Sequence, residues 1–165
     1  MTNPTGTQRP SSAAFLLAQI GAHAARKFAE RLAPIHLSPP HVGILGILRK
    51  SEGQSQQDLA ATLQMHPSGL VAIIDGLEER GLVERKDSPD DRRIYALHLT
   101  DKGHATLSAI SRIAHEHNKS LCAALSDEER EQLRGLLQRI ADEQGLAPGV
   151  HPGFSRMGKR GRSTC

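Results

Sequence analysis

Apolar residues recur every four positions at Leu16, Ile20, Ala24, Phe28 and Leu32, while Arg26, Lys27, Glu30 and Arg31 fall elsewhere around the turn. That spacing predicts an amphipathic first helix, capped by Ser11 or Ser12, running to about Leu32 and stopped by Pro34. Ser38 with Pro39 in the first-turn position opens a second helix, with Val42, Leu45 and Leu48 as its buried stripe, and the helix ends before Gly53. Ser55-Gln56-Gln57-Asp58 reads as a capping box for a short third helix carrying Leu59, Ala60 and Leu63. Pro67 opens a fourth, in which Leu70, Ile73, Ile74 and Leu77 follow helical spacing up to Gly81 as the residue past its end.

The period then changes from 3.6 to 2. Val83-Glu84-Arg85-Lys86 and Tyr95-Ala96-Leu97-His98-Leu99 alternate as strands around a polar turn, Asp87 to Arg93, which predicts a β-hairpin. Thr100 caps a long fifth helix with Leu107, Ile110, Ile113, Ala114, Leu121 and Leu125 as its stripe. Ser126-Asp127-Glu128-Glu129 is a full capping box opening a sixth, through Leu133, Leu136, Leu137 and Ile140 to Gly145. The fold class is mainly α with a small β-hairpin wing: a winged helix-turn-helix with four helices, the wing and two further helices. Its logic is groove geometry, because the major groove accepts one helix and its base edges are read from that helix's N-terminal half.

Composition narrows the picture. The 165 residues are 38% hydrophobic and 2% aromatic, so the core is Leu, Ile, Val and Ala, which favours helices over a β-sandwich or barrel. The length suits a single domain, read as residues 11–146, between a disordered lead-in over 1–10 and a disordered basic tail over 147–165. Within it, residues 36–100 form the DNA-binding lobe, and 11–35 with 101–146 supply the dimerisation helices. No apolar run approaches the ~20 residues that span a bilayer, so no membrane partner is expected. Ala13 to Ala18 followed by Ala22-His23-Ala24 mimics a secretory signal, but Gln19 breaks the run and only Arg9 precedes it, which leaves a cytoplasmic protein. Two Cys, one of them the last residue, form no disulfide framework.

The net charge of +3 comes from the tail, where Arg156, Lys159, Arg160 and Arg162 stand without an acid. Residues 36–100 hold seven Lys+Arg against nine Asp+Glu, so a nucleic-acid partner must be argued from pattern and not from bulk charge.

The pattern is Leu77-Glu78-Glu79-Arg80-Gly81-Leu82-Val83-Glu84-Arg85, then Asp91-Arg92-Arg93, then Leu97-His98-Leu99-Thr100-Asp101-Lys102-Gly103. At this spacing it resembles the MarR family of transcriptional regulators, and the same order of elements extends over roughly residues 12–146. The resemblance implies a homodimer in which the first, fifth and sixth helices of two chains interlock. Leu16, Ile20, Leu121, Leu125, Leu133, Leu136, Leu137 and Ile140 would line that interface. It further implies that Arg93 enters the minor groove, with Asp91 buttressing it and Arg92 nearer a phosphate.

The fourth helix departs from the family pattern. Its first turns read Pro67-Ser68-Gly69-Leu70-Val71-Ala72, with no Arg for a bidentate contact to guanine. The candidates for base contact are Ser68, His66 at the cap, and Val71 or Ala72 against thymine methyls, with Pro67 opening the helix and Gly69 permitting close approach. Ser55, Gln56 and Gln57 are the candidate phosphate contacts. The expected partners are double-stranded DNA, a second copy of the chain, and a small aromatic or phenolic effector held by His23, Arg26 and His41.

No metal and no cofactor are expected. His115 and His117 lie about 200° apart around a helix, and no His pair at chelating spacing stands within one helix. Paired carboxylates, a Gly-rich phosphate loop and a nucleophile motif are all missing from the sequence, so it does not read as an enzyme. Two other readings stay open: a winged-helix module that binds protein through the acidic lobe, and a redox-responsive regulator using Cys122, which as a free Cys on a packed helix reads more simply as a small hydrophobe.

Overall fold

Each helix begins where a polar side chain can satisfy the first free N–H groups. The computed structural model describes residues 12–89, 93–151 and 153–154. Helix α1 spans Ala13–Leu32, and the Ser12 hydroxyl accepts from the Phe15 N–H at 3.2 Å. A 3-10 turn over Ala33–Ile35 follows, ending in His36 with φ 55°. Helix α2 is Pro39–Lys50, α3 is Gln56–Thr62 and α4 is Pro67–Glu79. Strands β1 (Val83–Asp87) and β2 (Tyr95–Leu99) pair antiparallel, with Val83 opposite Leu99 and Asp87 opposite Tyr95. Helices α5 (Asp101–Leu121) and α6 (Asp127–Glu143) complete the order expected from the sequence.

The core lies in the lobe built from α2, α3, α4 and the hairpin. Leu32, Ile44, Leu45, Leu48, Leu59, Leu63, Leu70, Ile74, Leu77 and Leu97 are fully buried there, and Leu107 and Ile110 of α5 close it from one side. The hairpin also gains an isolated β-bridge that its alternation did not reveal. Ser55 bridges Ala96, the Gly53 N–H donates to the Leu97 carbonyl at 2.9 Å, and the Leu97 N–H donates to the Gln54 carbonyl at 3.0 Å. The turn before α3 is thereby fixed to the wing.

The sequence signature proves to be the joint between α4, the wing and α5. Gly81, at φ 67°, ends α4 in a Schellman turn, with the Leu82 N–H on the Leu77 carbonyl and the Gly81 N–H on the Glu78 carbonyl. The carbonyls that remain free are taken by the start of α5: the Thr100 hydroxyl donates to Gly81 at 2.6 Å and the Lys102 ammonium to Arg80 at 2.7 Å. A Cβ on Gly103 would lie 2.2 Å from the Leu82 carbonyl oxygen, so only glycine lets the two backbones meet there. The Arg80 guanidinium reaches the other way, donating to the carbonyls of Ile35 and His36.

Three expectations are corrected. Leu125 does not continue the α5 stripe, because α5 ends at Leu121 and Leu125 stands in the turn before α6, its N–H on the Cys122 carbonyl. Cys122 is accordingly the half-buried C-cap of α5 and not a residue on a packed helical face. The first part of the tail expected to be disordered is built onto the body: Phe154 is 5% exposed and belongs to the core, and Val150 packs against it. The apolar contact of one aromatic ring outweighs the Gly- and Pro-rich composition around it. Residues 1–11 and 155–165 lie outside the described residues.

Candidate nucleic-acid interface and effector cavity

The outward face of α4 is a consequence of its inward one. With Leu70, Ile74 and Leu77 buried, helical spacing turns Ser68 and Ala72 to the opposite side and Val71 to its flank, and Pro67 opens the helix; all four are exposed. Val71 is 40% exposed, an apolar side chain offered at the surface, and Gly69 is half-buried beside it. His66 is the N-cap. Its Nδ1 accepts from the Ser68 N–H at 3.3 Å and lies 2.7 Å from the Ser68 hydroxyl, so these two candidate base contacts form one unit.

The start of α3 is less free than its sequence suggests. The Ser55 hydroxyl accepts from the Asp58 N–H and donates its only proton to the Asp58 carboxylate at 2.7 Å, so it caps the helix. The side-chain carbonyl of Gln56 accepts from Arg85 at 3.3 Å, leaving its amide N–H groups to face outward partners. Gln57 is exposed.

Arg85 is the residue the functional reading missed, although it stood inside the signature. From β1 it donates to Asp75 at 2.6 Å and to Glu78, both on α4, as well as to Gln56 on α3. Its own N–H also donates to Glu78 at 3.2 Å. One guanidinium thus sets the angle between the wing and the two helices of the helix-turn-helix. Asp75 and Glu78 hold the pKa of Arg85 above its ordinary value against the opposing effect of burial, which is the largest single influence on it. Of the wing-tip triplet, Arg93 is exposed just ahead of β2, while Asp91 and Arg92 lie outside the described residues. Ile94 and Tyr95 follow, 43% and 58% exposed.

A cavity of about 590 Å³ opens between the helices, lined by Gly21, Ala24, Ala25 and Phe28 of α1, Pro39, Pro40, Val42 and Gly43 of α2, and Ala114 and His117 of α5. The C-terminal segment supplies Gly149, His151, Gly153 and Phe154. None of the three residues expected to hold an effector is among its walls. His41 is turned to Ser38, whose N–H donates to its Nδ1 at 3.1 Å, completing the α2 cap. Arg26 pairs with Glu30 at 2.8 Å and lies 3.3 Å from the His23 ring. His23 lines a separate cleft with Lys27, Arg31, His117, Ser120 and Leu121. Besides His151, the imidazole that reaches the cavity is His117 of α5, stacked at a tilt on Phe28 with centroids 5.2 Å apart. Burial, then the charges of Arg31 and His23, lower its pKa below the ordinary histidine value. It stands on the apolar stripe of α5, four residues past Ile113 and four before Leu121, where the sequence reading weighed it only as a chelating partner for His115.

Among the described residues, no group of three or more His, Cys, Asp or Glu is placed to hold a metal ion. His104 lies 3.2 Å from Glu52. No helix is long and apolar enough to cross a membrane.

Both terminal helices carry apolar faces that none of the described residues covers. Phe15, Leu16, Leu17 and Ile20 of α1 are 40–57% exposed, and Leu133, Leu136, Leu137 and Ile140 of α6 are 36–53% exposed. Leu121, at the end of α5, is 38% exposed, and Leu125 is half-buried. Helix α6 has no buried residue at all.

Comparison with known proteins agrees with this geometry. A family model described as the MarR family matches residues 37–94, the lobe from the α2 cap to the wing tip. A protein of Thauera aromatica, named for transcriptional regulation of the hcr operon, is 35% identical over 124 residues, covering 74% of this chain and 75% of that one. The transcriptional repressor CouR, solved on a 23-mer DNA duplex, is 34% identical with a TM-score of 0.70, over 79% of this chain and 92% of that one. MarR from E. coli, in the wild-type form without ligand, shares the fold at a TM-score of 0.71 and 22% identity, over 80% of this chain and 98% of that one. With a winged helix-turn-helix built on these residues and relatives this similar over most of its length, the chain belongs to the MarR family and is a DNA-binding transcriptional regulator.

Proposed function

We propose that the protein acts in the cytoplasm as a homodimeric repressor that binds a pseudo-palindromic operator and leaves it when a small aromatic or phenolic effector enters the cavity. The observation that supports this best is the pairing of two outward faces: a polar-to-apolar reading face on α4 beside the wing, and uncovered apolar stripes on α1 and α6. Two copies joined through those stripes present two α4 helices and two wings. To occupy successive major grooves, the two α4 helices must sit about 34 Å apart.

The reading face explains what kind of contact to expect. Ser68 and His66 offer hydrogen bonds, Val71 and Ala72 offer methyl contacts to thymine, and Gln57 with the amide of Gln56 reaches phosphate. The wing adds Asp91, Arg92 and Arg93, with Arg93 in the minor groove, where a narrow A·T-rich segment has the most negative potential. An effector between α1, α2 and α5 touches both the dimer helices and the lobe. It therefore has the differential contact with two spacings that a population shift requires.

Selection of bound fragments from genomic DNA, followed by titration of the winning duplex, tests the reading. Arg93→Ala should weaken operator binding about tenfold or more, some 1.4 kcal/mol, with the dimer intact. Unchanged affinity would remove the wing from the interface. Binding to random duplex should fall steeply with salt, because neutralising several phosphates releases their condensed counterions. A protein with no affinity for any duplex would instead favour the protein-binding module.

A further inference from the structure

Helix α6 ends in Gly145 at φ 64°, with the Leu146 N–H on the Ala141 carbonyl and the Gly145 N–H on the Asp142 carbonyl, and the chain turns back toward the lobe. The residues that follow hold a shape of their own. The Val150 N–H donates to the Ala147 carbonyl at 3.1 Å, the Gly153 N–H to the His151 ring at 3.0 Å and the Phe154 N–H to the His151 carbonyl at 3.1 Å. Along the way Ala147, Val150 and His151 face Leu63 and Gln64, where α3 gives way to the turn before α4. The path ends with Phe154 buried on α2.

The seat of that ring is specific. A Cβ on Gly43 would lie 2.5 Å from the Phe154 Cζ and 2.9 Å from its Cε2, so the ring occupies the space that a side chain at position 43 would need. Glycine in the middle of a helix costs about 0.5–1 kcal/mol relative to alanine, and here the vacated volume is filled by an aromatic ring from over a hundred residues away. On its other side the same ring faces the cavity, together with His151, Gly149 and Gly153.

We propose that residues 147–151 and 153–154 are a strap that completes the effector cavity, with Phe154 on Gly43 as one wall, so that a ring-bearing, weakly polar ligand is held only while the strap is docked. This rests on the reading of the cavity as the effector site and adds its regulation. Without the strap, the cavity is an open apolar trough between α1, α2 and α5. With it, a planar ring is sandwiched between Phe28 and Phe154, with the His117 and His151 imidazoles as hydrogen-bonding partners for a hydroxyl. Because the strap leaves α6 and passes the α3–α4 turn, its docking also joins the dimer helices to the reading head.

Two measurements on the full-length protein test this. Hydrogen exchange followed by mass spectrometry should show the peptide over 147–154 protected in the wild type. Several-fold faster exchange is expected in Gly43→Val, and also in Phe154→Ala, which leaves α2 untouched should the first variant fold poorly. Exchange at the rate of an unstructured peptide in the wild type overturns the strap. Titration calorimetry with 2-naphthol as the probe should show binding to the wild type and about tenfold weaker binding to Phe154→Ala, the order expected for opening one apolar wall to water. Equal affinity in the two proteins, or none in either, overturns the wall. Operator binding without 2-naphthol is read separately, so failure of the repressor reading and failure of the strap give different results.

Discussion

The lobe and the terminal helices are made of similar residues and meet opposite fates. In the lobe, leucines and isoleucines from α2, α3 and α4 are fully buried within a single chain, and Arg85 ties α3 and α4 to the wing. In α6, leucines at equally regular spacing remain at the surface, and the helix is stabilised locally by its capping box and by pairs such as Arg134 with Glu131. The first region is a folded object; the second is half of one. A hydrophobic stripe thus specifies burial without saying whose surface does the burying.

The largest effect is expected in the lobe. Ile74→Ala removes a fully buried side chain facing the other helices of the core and should cost about 3 kcal/mol. Chemical denaturation should register this loss for any assembly state. By contrast, Leu136→Glu with Ile140→Glu should leave the lobe's secondary structure intact while the protein elutes as a monomer. Operator affinity should then fall about 100-fold, or 2.7 kcal/mol, because one module keeps only half the contacts. A double variant that stays dimeric would show that the α6 face is not the interface.

Arg85→Ala probes the joint between the wing and the two helices within the lobe. Its guanidinium is 20% exposed and its partners Asp75 and Glu78 are 50% and 40% exposed, so solvent screening limits the loss to about 1–2 kcal/mol. The larger consequence is geometric: with the wing released from α4, operator affinity should drop by more than the stability change accounts for. If affinity follows stability alone, Arg85 is only a brace.

Legibility in the sequence follows the same divide. Capping residues and apolar spacing gave the order of all six helices, and alternation gave β2 to the residue, because each is a local signal. The joint at Gly81, Thr100 and Gly103 was visible as a motif even before its hydrogen bonds were known. Phe154 was not, since a lone aromatic in a Gly- and Pro-rich stretch has no period, and Gly43 acquires its meaning only from the ring that lies on it. The effector residues failed for a related reason. His23, Arg26 and His41 have chemistry suited to a ligand, but Glu30 and Ser38 stand one turn away on the same helices and engage two of them locally.

The smallest expected effect is a pH dependence housed in the lobe. Three helices here use a reciprocal cap, and the third-position acceptor is Asp58 in α3 and Glu129 in α6 but His41 in α2. The His41 Nδ1 accepts the Ser38 N–H only while that nitrogen is unprotonated. Burial, and then the charge of Arg80 from the end of α4, push its pKa below the ordinary 6.5. A histidine with a depressed folded pKa contributes no loss above 6.5; stability falls as pH drops from 6.5 through the folded value, because the unfolded chain takes up the proton first. His117, lowered in the same direction, adds to that slope. Denaturant midpoints measured from pH 7.5 to 5.5 should therefore decline in the wild type. In His41→Glu, which places the acceptor that α6 already uses at the same cap position, the decline should be shallower. Parallel profiles for the two proteins would assign the acid sensitivity to the cavity side of the molecule, and the α2 cap would then be no different in kind from the other two.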